Sequence, residues 1–530
     1  MAIKEERDLS KSTGTTVVLM LCTILSRLLG FVRVAVIGAV FGAHGTADVL
    51  NTVFQIPNNL RKLLAEGALS SAFIPVISGL IVRDKSIESA KRLVRNLITF
   101  LIVIFVPFIT VSIIFAKPII KVLLPFPEEW KVNLSIDLFR WLIGYIALVS
   151  IGSVLMAVLN SHGKFVIPAL SPPLFSITVI TSIIIFSPRL GIFSVAIGVL
   201  VGGIAQILFQ LPLYLKIGYD LKLDFRFHKN KAFRETVKLW FPVVASASIF
   251  AINQQFALFF ASGLEDGSTS ALANAIIFWQ LPFGVFSVSV ITVLFPRMSR
   301  QSGRNDVEGL QESLIHGINF ILLMMLPTMV LYLFLGHEII QVALQRYKFG
   351  VYGTLMAARV LRGYSYGFIS VGIFNFLQRY FYSTKDFRIP LITSLIVSFV
   401  DIVLSYYLKE TYLRVEGLAV ANSVAFSVGF ITQLVIIKQR FGIFRIGKIL
   451  RILWKAVISV IPMMILLGVF KLFSSYLWTS YNSFRDFFIL IVLIFLSVLF
   501  TVFMYYIMKV EIAVSLVSKI SSWIRKNDES

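Results

Sequence analysis

Between Ser26 and Pro75 the chain reads SRLLGFVRVAVIGAVFGAHGTADVLNTVFQIPNNLRKLLAEGALSSAFIP, apolar enough for a membrane yet carrying Arg27, Arg33, Asp48, Arg61, Lys62 and Glu66. A charge at bilayer depth costs about 2.5 to 3.5 kcal/mol on insertion scales, so it normally faces a wet cavity or a partner and serves a function. Helical spacing groups these charges. Ser26, Gly30 and Arg33 fall at i, i+4 and i+7 on one face of a first span, with Arg27 on its flank. Asn58, Arg61 and Lys62 repeat i, i+3, i+4 in a second. Guanidinium and ammonium groups lining a wet cavity suit an anion held by charge-assisted hydrogen bonds, which is recognition rather than bond-making chemistry. Structural readings stand beside the functional ones. Asp48 equally suits an N-terminal cap of the second helix, and Glu66 an i, i+4 bridge to Lys62. The arginines' alternative is snorkelling to an interface, but Arg27 lies about 18 Å along its span, too deep for that to be easy.

The elements that position these residues follow from composition. Hydrophobic residues make up 57% of the 530 and charged residues 14%, which predicts an all-α polytopic membrane protein. The net charge of +22 collects in loops between apolar runs, where anionic lipid and the positive-inside rule explain it and nucleic acid is not needed. A single cysteine, Cys22, excludes an internal disulfide and a cysteine-based metal cluster. The five histidines show no metal-ligand spacing. The first fourteen residues lack a secretory pattern, so the first span is expected to be retained as an anchor.

Apolar runs near 15–42, 47–80, 94–117, 134–160, 166–187, 191–217, 235–262, 268–295, 312–335, 351–382, 389–408, 415–441, 449–473 and 485–510 predict about fourteen transmembrane helices. The run 47–80 is too long for one straight span. Pro57 and Glu66-Gly67 predict a bend or break in it. The even-numbered connections hold most of the loop Lys and Arg, which places both termini in the cytoplasm. AKPIIKVLL, IGYIALVSIGSVL and KFVIP return as GHEIIQVAL, RGYSYGFISVGIF and DFRIP about 220 residues later, the mark of an internal repeat. The expected organisation is a cytoplasmic tail (1–14), a six-helix half (15–217), a basic cytoplasmic linker (218–234), a second six-helix half (235–441), a two-helix appendage (442–510) and a cytoplasmic tail (511–530). Equal, even halves insert in the same orientation, so a substrate cavity between parallel repeats is expected. Pro57 to Pro75 holds about one helical turn more than Pro282 to Pro296, at Ala65–Ala68, and the second-half stretch carries no charge. The basic site is therefore asymmetric.

SRLLGFVR, FGA with Asp48, IPNNLRKLLAEGALSSAFIPV, VLNSHGKFVIPALSPPL and FYSTKDFRIP resemble the MurJ/MviN lipid II flippases of the multidrug/oligosaccharidyl-lipid/polysaccharide exporter superfamily, over nearly the whole chain. The resemblance implies fourteen helices, alternating access, and export of lipid II, the undecaprenyl-pyrophosphate-linked peptidoglycan precursor, across the bacterial inner membrane. It implies a substrate site at Arg27, Arg33 and Arg61, which Ser26, Asn58 and Lys62 join on the same helix faces. It ties Asp48, Glu66 and Gly67 to gating and gives the last two helices a groove for the polyprenyl tail. The family's eighth-span Asp-Arg pair falls here on Ile276-Ile277, so Arg362, with Arg359 a turn away in the tenth span, is the candidate substitute. A family sodium site maps near Asn253, Asp401, Ser405 and Asn422. No organic cofactor is implied; coupling to the membrane potential or to a monovalent ion stays open, as do cell-wall synthesis proteins as partners beside lipid II and membrane lipids. The rivals are another lipid-linked oligosaccharide flippase or a cation-coupled exporter of the superfamily. A membrane glycosyltransferase would need a long loop with clustered acids, and no loop here is long enough.

Overall fold

The structure, a computed structural model, describes residues 2–64, 68–83, 87–441, 445–478 and 484–510. Every regular element in it is helical, as the composition requires. Ten helices precede Gly263: α1 (Ala2–Phe41), α2 (Thr46–Leu64), α3 (Ala68–Arg83), α4 (Ile87–Ile114), α5 (Ala116–Leu123), α6 (Glu129–Leu142), α7 (Tyr145–Ser161), α8 (Val166–Leu190), α9 (Phe193–Lys216) and α10 (Lys231–Ser262). Then come α11 (Ser268–Gly303), α12 (Val307–Leu344), α13 (Gly350–Ser365), α14 (Phe368–Ser383), α15 (Arg388–Leu408), α16 (Val415–Phe441), α17 (Ile446–Ser459), α18 (Ile461–Leu477) and α19 (Phe484–Ile507).

Eleven stretches among the described residues are long and apolar enough to cross a membrane. The expected runs 47–80, 235–262 and 351–382 are not among them: the first includes residues outside those described, the second falls within the single helix α10, and the third is divided between α13 and α14. The expected break at Glu66-Gly67 lies outside the described residues, between α2 and α3.

The chain forms two compact units, residues 1–270 with 347–349, and residues 271–346 with 350–530. The division falls at Ser270 and not within the linker 218–234. The physical reason is that α10 packs on α2, α3 and α4, and that the linker is itself docked on α4. Arg95 forks onto Asp220, Asn96 Nδ2 donates to the Asp224 carbonyl (2.8 Å), and Thr99 Oγ1 accepts from the Asp224 amide (2.8 Å). Asn230 caps α10 through the amides of Ala232 and Phe233. The Arg95 guanidinium holds the Asp220 carboxyl down at about 2. A carboxyl so depressed stabilises the docked loop fully above the free value near 4 and loses that effect as pH falls toward 2. Protection from amide exchange across 218–230, taken relative to the unstructured rate at each pH, should therefore hold from neutral pH to about 4 and fall below it. Asp220→Asn should exchange faster at neutral pH and flatten that profile.

In the first unit, Val49, Leu50, Val53 and Ile56 of α2 enter a core with Phe139 and Leu142 of α6, Tyr145 of α7, and Phe175 and Val179 of α8. This fixes which face of α2 remains for Asn58 and Arg61. In the second unit α12 is the central helix. The appendage packs on it through Ala456, Met463, Leu467, Phe470, Leu490 and Leu493. Three polar ties fix the contact: Lys471 to Glu338, Trp478 Nε1 to Gln341 Oε1 (2.9 Å), and Tyr505 hydroxyl to the Leu323 carbonyl (2.7 Å).

Gly363 and Gly367 set the approach of α13 and α14 to α16. A Cβ on Gly367 would fall 2.4 Å from Ser423 Cα, and one on Gly363 would fall 2.8 Å from Ala419 Cβ. Small residues at spacing four are the usual route to close helix packing in membranes. Gly367→Ala should cost on the order of 1–3 kcal/mol by overpacking, read as a lower unfolding temperature in detergent.

Candidate substrate-binding site

Arg33 and Arg61 come together in the first unit. The Arg33 guanidinium carbon stands 5.2 Å from the centre of the Phe175 ring, a cation–π distance, and its electrostatic neighbours are Tyr145 and Arg61. Arg61 Nε donates to Asn58 Oδ1 (3.1 Å), whose own amide donates to Gln55 Oε1 (3.2 Å). The i, i+3, i+6 spacing of Gln55, Asn58 and Arg61 thus becomes a hydrogen-bonded ladder that aims the guanidinium. Two cations held within reach of one another repel, and an anion between them removes that cost.

On α1, Ser26 is half-buried and Arg27 exposed, while a Cβ on Gly30 would meet nothing within 4 Å. Between Ser26 and Arg33, at Gly30, this face therefore has open space beside it. The side chain of Lys62, and Glu66 and Gly67 entirely, lie outside the described residues. A separate cavity of about 320 Å³ between α2, α4, α5, α6 and α10 is lined by Ile56, Leu60, Phe108 and Phe139 among others, with no charged side chain. It has no charge with which to hold an anion.

Asp48 is buried, and its partners differ from the expected ones. It lies in the first turn of α2 but caps α11 instead: Oδ1 accepts from the Thr269 hydroxyl (2.6 Å) and from the Ser270 amide (2.8 Å). Asn51 Nδ2 reaches the Ser270 hydroxyl (3.0 Å). The unsatisfied amides of a helix start attract a carboxylate, and here α11's win over α2's own.

Beside Asp48 sits Lys131, 2% exposed, with Nζ 2.8 Å from Asp266, 3.4 Å from Glu128 and 3.9 Å from Asp48. Both oxygens of Asp266 accept from the Gly45 amide (2.9 and 3.1 Å). Burial opposes ionisation of Asp266, but Lys131 and the Gly45 amide hold its carboxyl below the ordinary range. Sequence reasoning missed Lys131, Asp266 and Thr269. They read as loop and helix-start residues, and no spacing rule brings three distant segments together.

In the second unit Arg362 forks onto Glu416, Nε and Nη2 each 2.8 Å from a carboxylate oxygen. Of the two outcomes open to this arginine, a head group or an acidic partner, the structure supplies the acid. Arg359 is exposed on the same helix. Asp401 is buried, with Ser405 Oγ at 3.3 Å and Asn422 Nδ2 at 2.8 Å. Asn253 belongs to the first unit.

Fold and site together define a polytopic membrane transporter, not an enzyme. A family model described as lipid II flippase MurJ matches residues 37–493, and on that span the chain belongs to the MurJ lipid II flippase family. It is 36% identical over 470 residues to a probable lipid II flippase MurJ of Borreliella burgdorferi, covering 89% of this chain and 91% of that one. A namesake from Buchnera aphidicola is 32% identical over 416 residues, covering 78% and 81%. A solved lipid II flippase MurJ in an inward closed conformation superposes with a TM-score of 0.77 at 26% identity, over 94% of this chain and all of that one. An inward-facing multidrug transporter of the MATE family and MOP superfamily, at TM-score 0.64 and 15% identity over 80% of this chain and 98% of that one, shares the fold.

Proposed function

We propose that this protein flips lipid II from the inner to the outer leaflet of the bacterial cytoplasmic membrane by alternating access of a fourteen-helix transporter with both termini in the cytoplasm. The observation that carries this reading is the pair of like charges, Arg33 and Arg61, positioned by Phe175 and Asn58 in a chain of this family. The pyrophosphate of lipid II is the anion such a pair suits, since guanidinium forks match phosphate oxygens. Arg27, Ser26, Asn58 and Lys62 extend the site along the two helix faces, and Arg359 and Arg362 are the second unit's own candidates for head-group contact. Asp48, Glu66 and Gly67 serve gating, with Asp48 gripping the start of α11. The polyprenyl tail stays in apolar surroundings along α17–α19, where Phe487, Phe488, Ile491, Phe495 and Phe503 are exposed.

A coupling sodium ion would take oxygens from Asp401, Ser405 and Asn422. These residues fit a hard cation once the Asn422 amide, which now presents its nitrogen to Asp401, turns its oxygen inward. Asp401→Asn should then remove any sodium dependence of transport in vesicles.

Complementation of a flippase-depleted bacterium, with lipid II transport by the purified protein in vesicles, tests the whole reading. Growth and transport are expected. Transport of a different lipid-linked oligosaccharide, or of cationic drugs, in place of lipid II would overturn it.

A further inference from the structure

We infer that Lys131 and Asp266 are positioning residues of the transport cycle. Together they clamp the first turn of α11 to the turn between α1 and α2 and so keep Asp48 seated on that helix. The inference rests on the flippase reading for its purpose, though not for its geometry.

Three carboxylates from three distant segments, Asp48, Glu128 and Asp266, meet at one ammonium. Lys131 lies over the rings of Phe126 (5.4 Å) and Trp130 (5.8 Å), which with the acids exclude water from it. Asp266 also accepts from the Gly45 amide and lies 3.9 Å from His44 Nδ1, in a turn where Gly42 and Gly45 both take positive φ (90° and 60°). The chain of contacts is continuous. The turn is held by Asp266, Asp266 by Lys131, Lys131 draws Asp48, and Asp48 holds Thr269 and Ser270.

A permanent anchor would be better built from apolar side chains, because a buried ion cluster recovers its desolvation cost only while every partner is in place. Losing Lys131 leaves three carboxylates repelling one another, and losing Asp266 removes both the shortest contact of the ammonium and the tie to the Gly45 amide, so the clamp is either closed or open, with little between. What it holds is the first turn of a helix that beyond Ser270 belongs to the second unit, so its release frees the start of that helix. Residues that govern this contact set how readily the Asp48 grip is made and broken without touching substrate.

Ser268 supplies a reporter. It is fully buried and its hydroxyl has no hydrogen-bond partner, so a cysteine there disturbs little and reacts only when this end opens. In full-length protein carrying Cys22→Ser and Ser268→Cys, in lipid nanodiscs without substrate, alkylation by the membrane-permeant N-ethylmaleimide is followed in time. Asp266→Asn and Lys131→Met should each speed alkylation about tenfold or more, below a wholly buried pair because Asp266 is 39% exposed. Asp266→Glu, which keeps the charge, should react at the parental rate, and vesicle transport should fall in the same order as alkylation rises. Asp266→Asn changes no shape at a partly exposed site, so it reports even if Lys131→Met fails to fold. Unchanged alkylation in Asp266→Asn, or equal acceleration by Asp266→Glu, overturns the inference. Faster alkylation in a protein that moves no lipid II upholds the clamp and refutes the substrate reading.

Discussion

Arg33→Ala and Arg61→Ala, made singly, should each abolish complementation of a flippase-depleted bacterium while the protein still accumulates in the membrane. The described contacts of Arg33 are a ring, a phenol and a second cation, so its removal orphans no buried acid and folding should survive. Arg61 is aimed by Asn58, which keeps its bond to Gln55 without it. What disappears is one charge of a pair. A hydrogen bond to a charged group contributes about 1.5–3 kcal/mol, so each change should slow transport in vesicles by roughly ten- to over a hundredfold. Arg61→Lys should restore only part of this, because an ammonium keeps the charge but lacks the planar fork. Arg27→Ala should fail as well, on the weaker ground that Arg27 flanks the same open face without touching the pair. Normal growth from any two of the three alanine variants at parental expression would sink the anionic site.

These arginines were legible because a charge in an apolar run is conspicuous and helical period says which charges share a face. Asn58 and Arg61 show the rule at its best: spacing placed them on one face and the structure bonds them, adding Gln55, which the sequence reading had not included. The helical class was legible for the same reason. Asp48 shows where the rule stops. Its position in the first turn of α2 suggested a local cap, yet the amide and hydroxyl it satisfies are more than two hundred residues away. Local pattern identifies a group that needs a partner but not which of several helix starts provides it. Lys131 is the harder case, since a lysine after two glutamates at a span's edge looks solvated, and only the convergence of Phe126, Trp130 and three acids buries it. The linker makes the same point. The basic linker reads as a spacer by composition, but Asp220 and Asp224 inside it find Arg95, Asn96 and Thr99 on α4.

Arg362→Ala should be among the most damaging single changes in the second unit, and the reason lies in its partner. Glu416 is only 7% exposed, in the first turn of α16, whereas Arg362 is 49% exposed. Removing the arginine leaves a buried carboxylate without its fork; removing the acid leaves a cation that can turn outward. Breaking a buried pair from the side that strands the buried charge costs about 3–5 kcal/mol, discounted here because Arg362 is half in the open. Stability in detergent should therefore fall more for Arg362→Ala than for Glu416→Gln, and the double variant should recover most of the difference because the two sites are coupled. Transport separates packing from recognition. If Arg362 also stands in for the arginine that Ile277 lacks, the stable double variant should still flip poorly, and adding Ile277→Arg should restore a measurable part. Full transport by the Arg362→Ala, Glu416→Gln protein would leave this arginine a tie between α13 and α16 and nothing more.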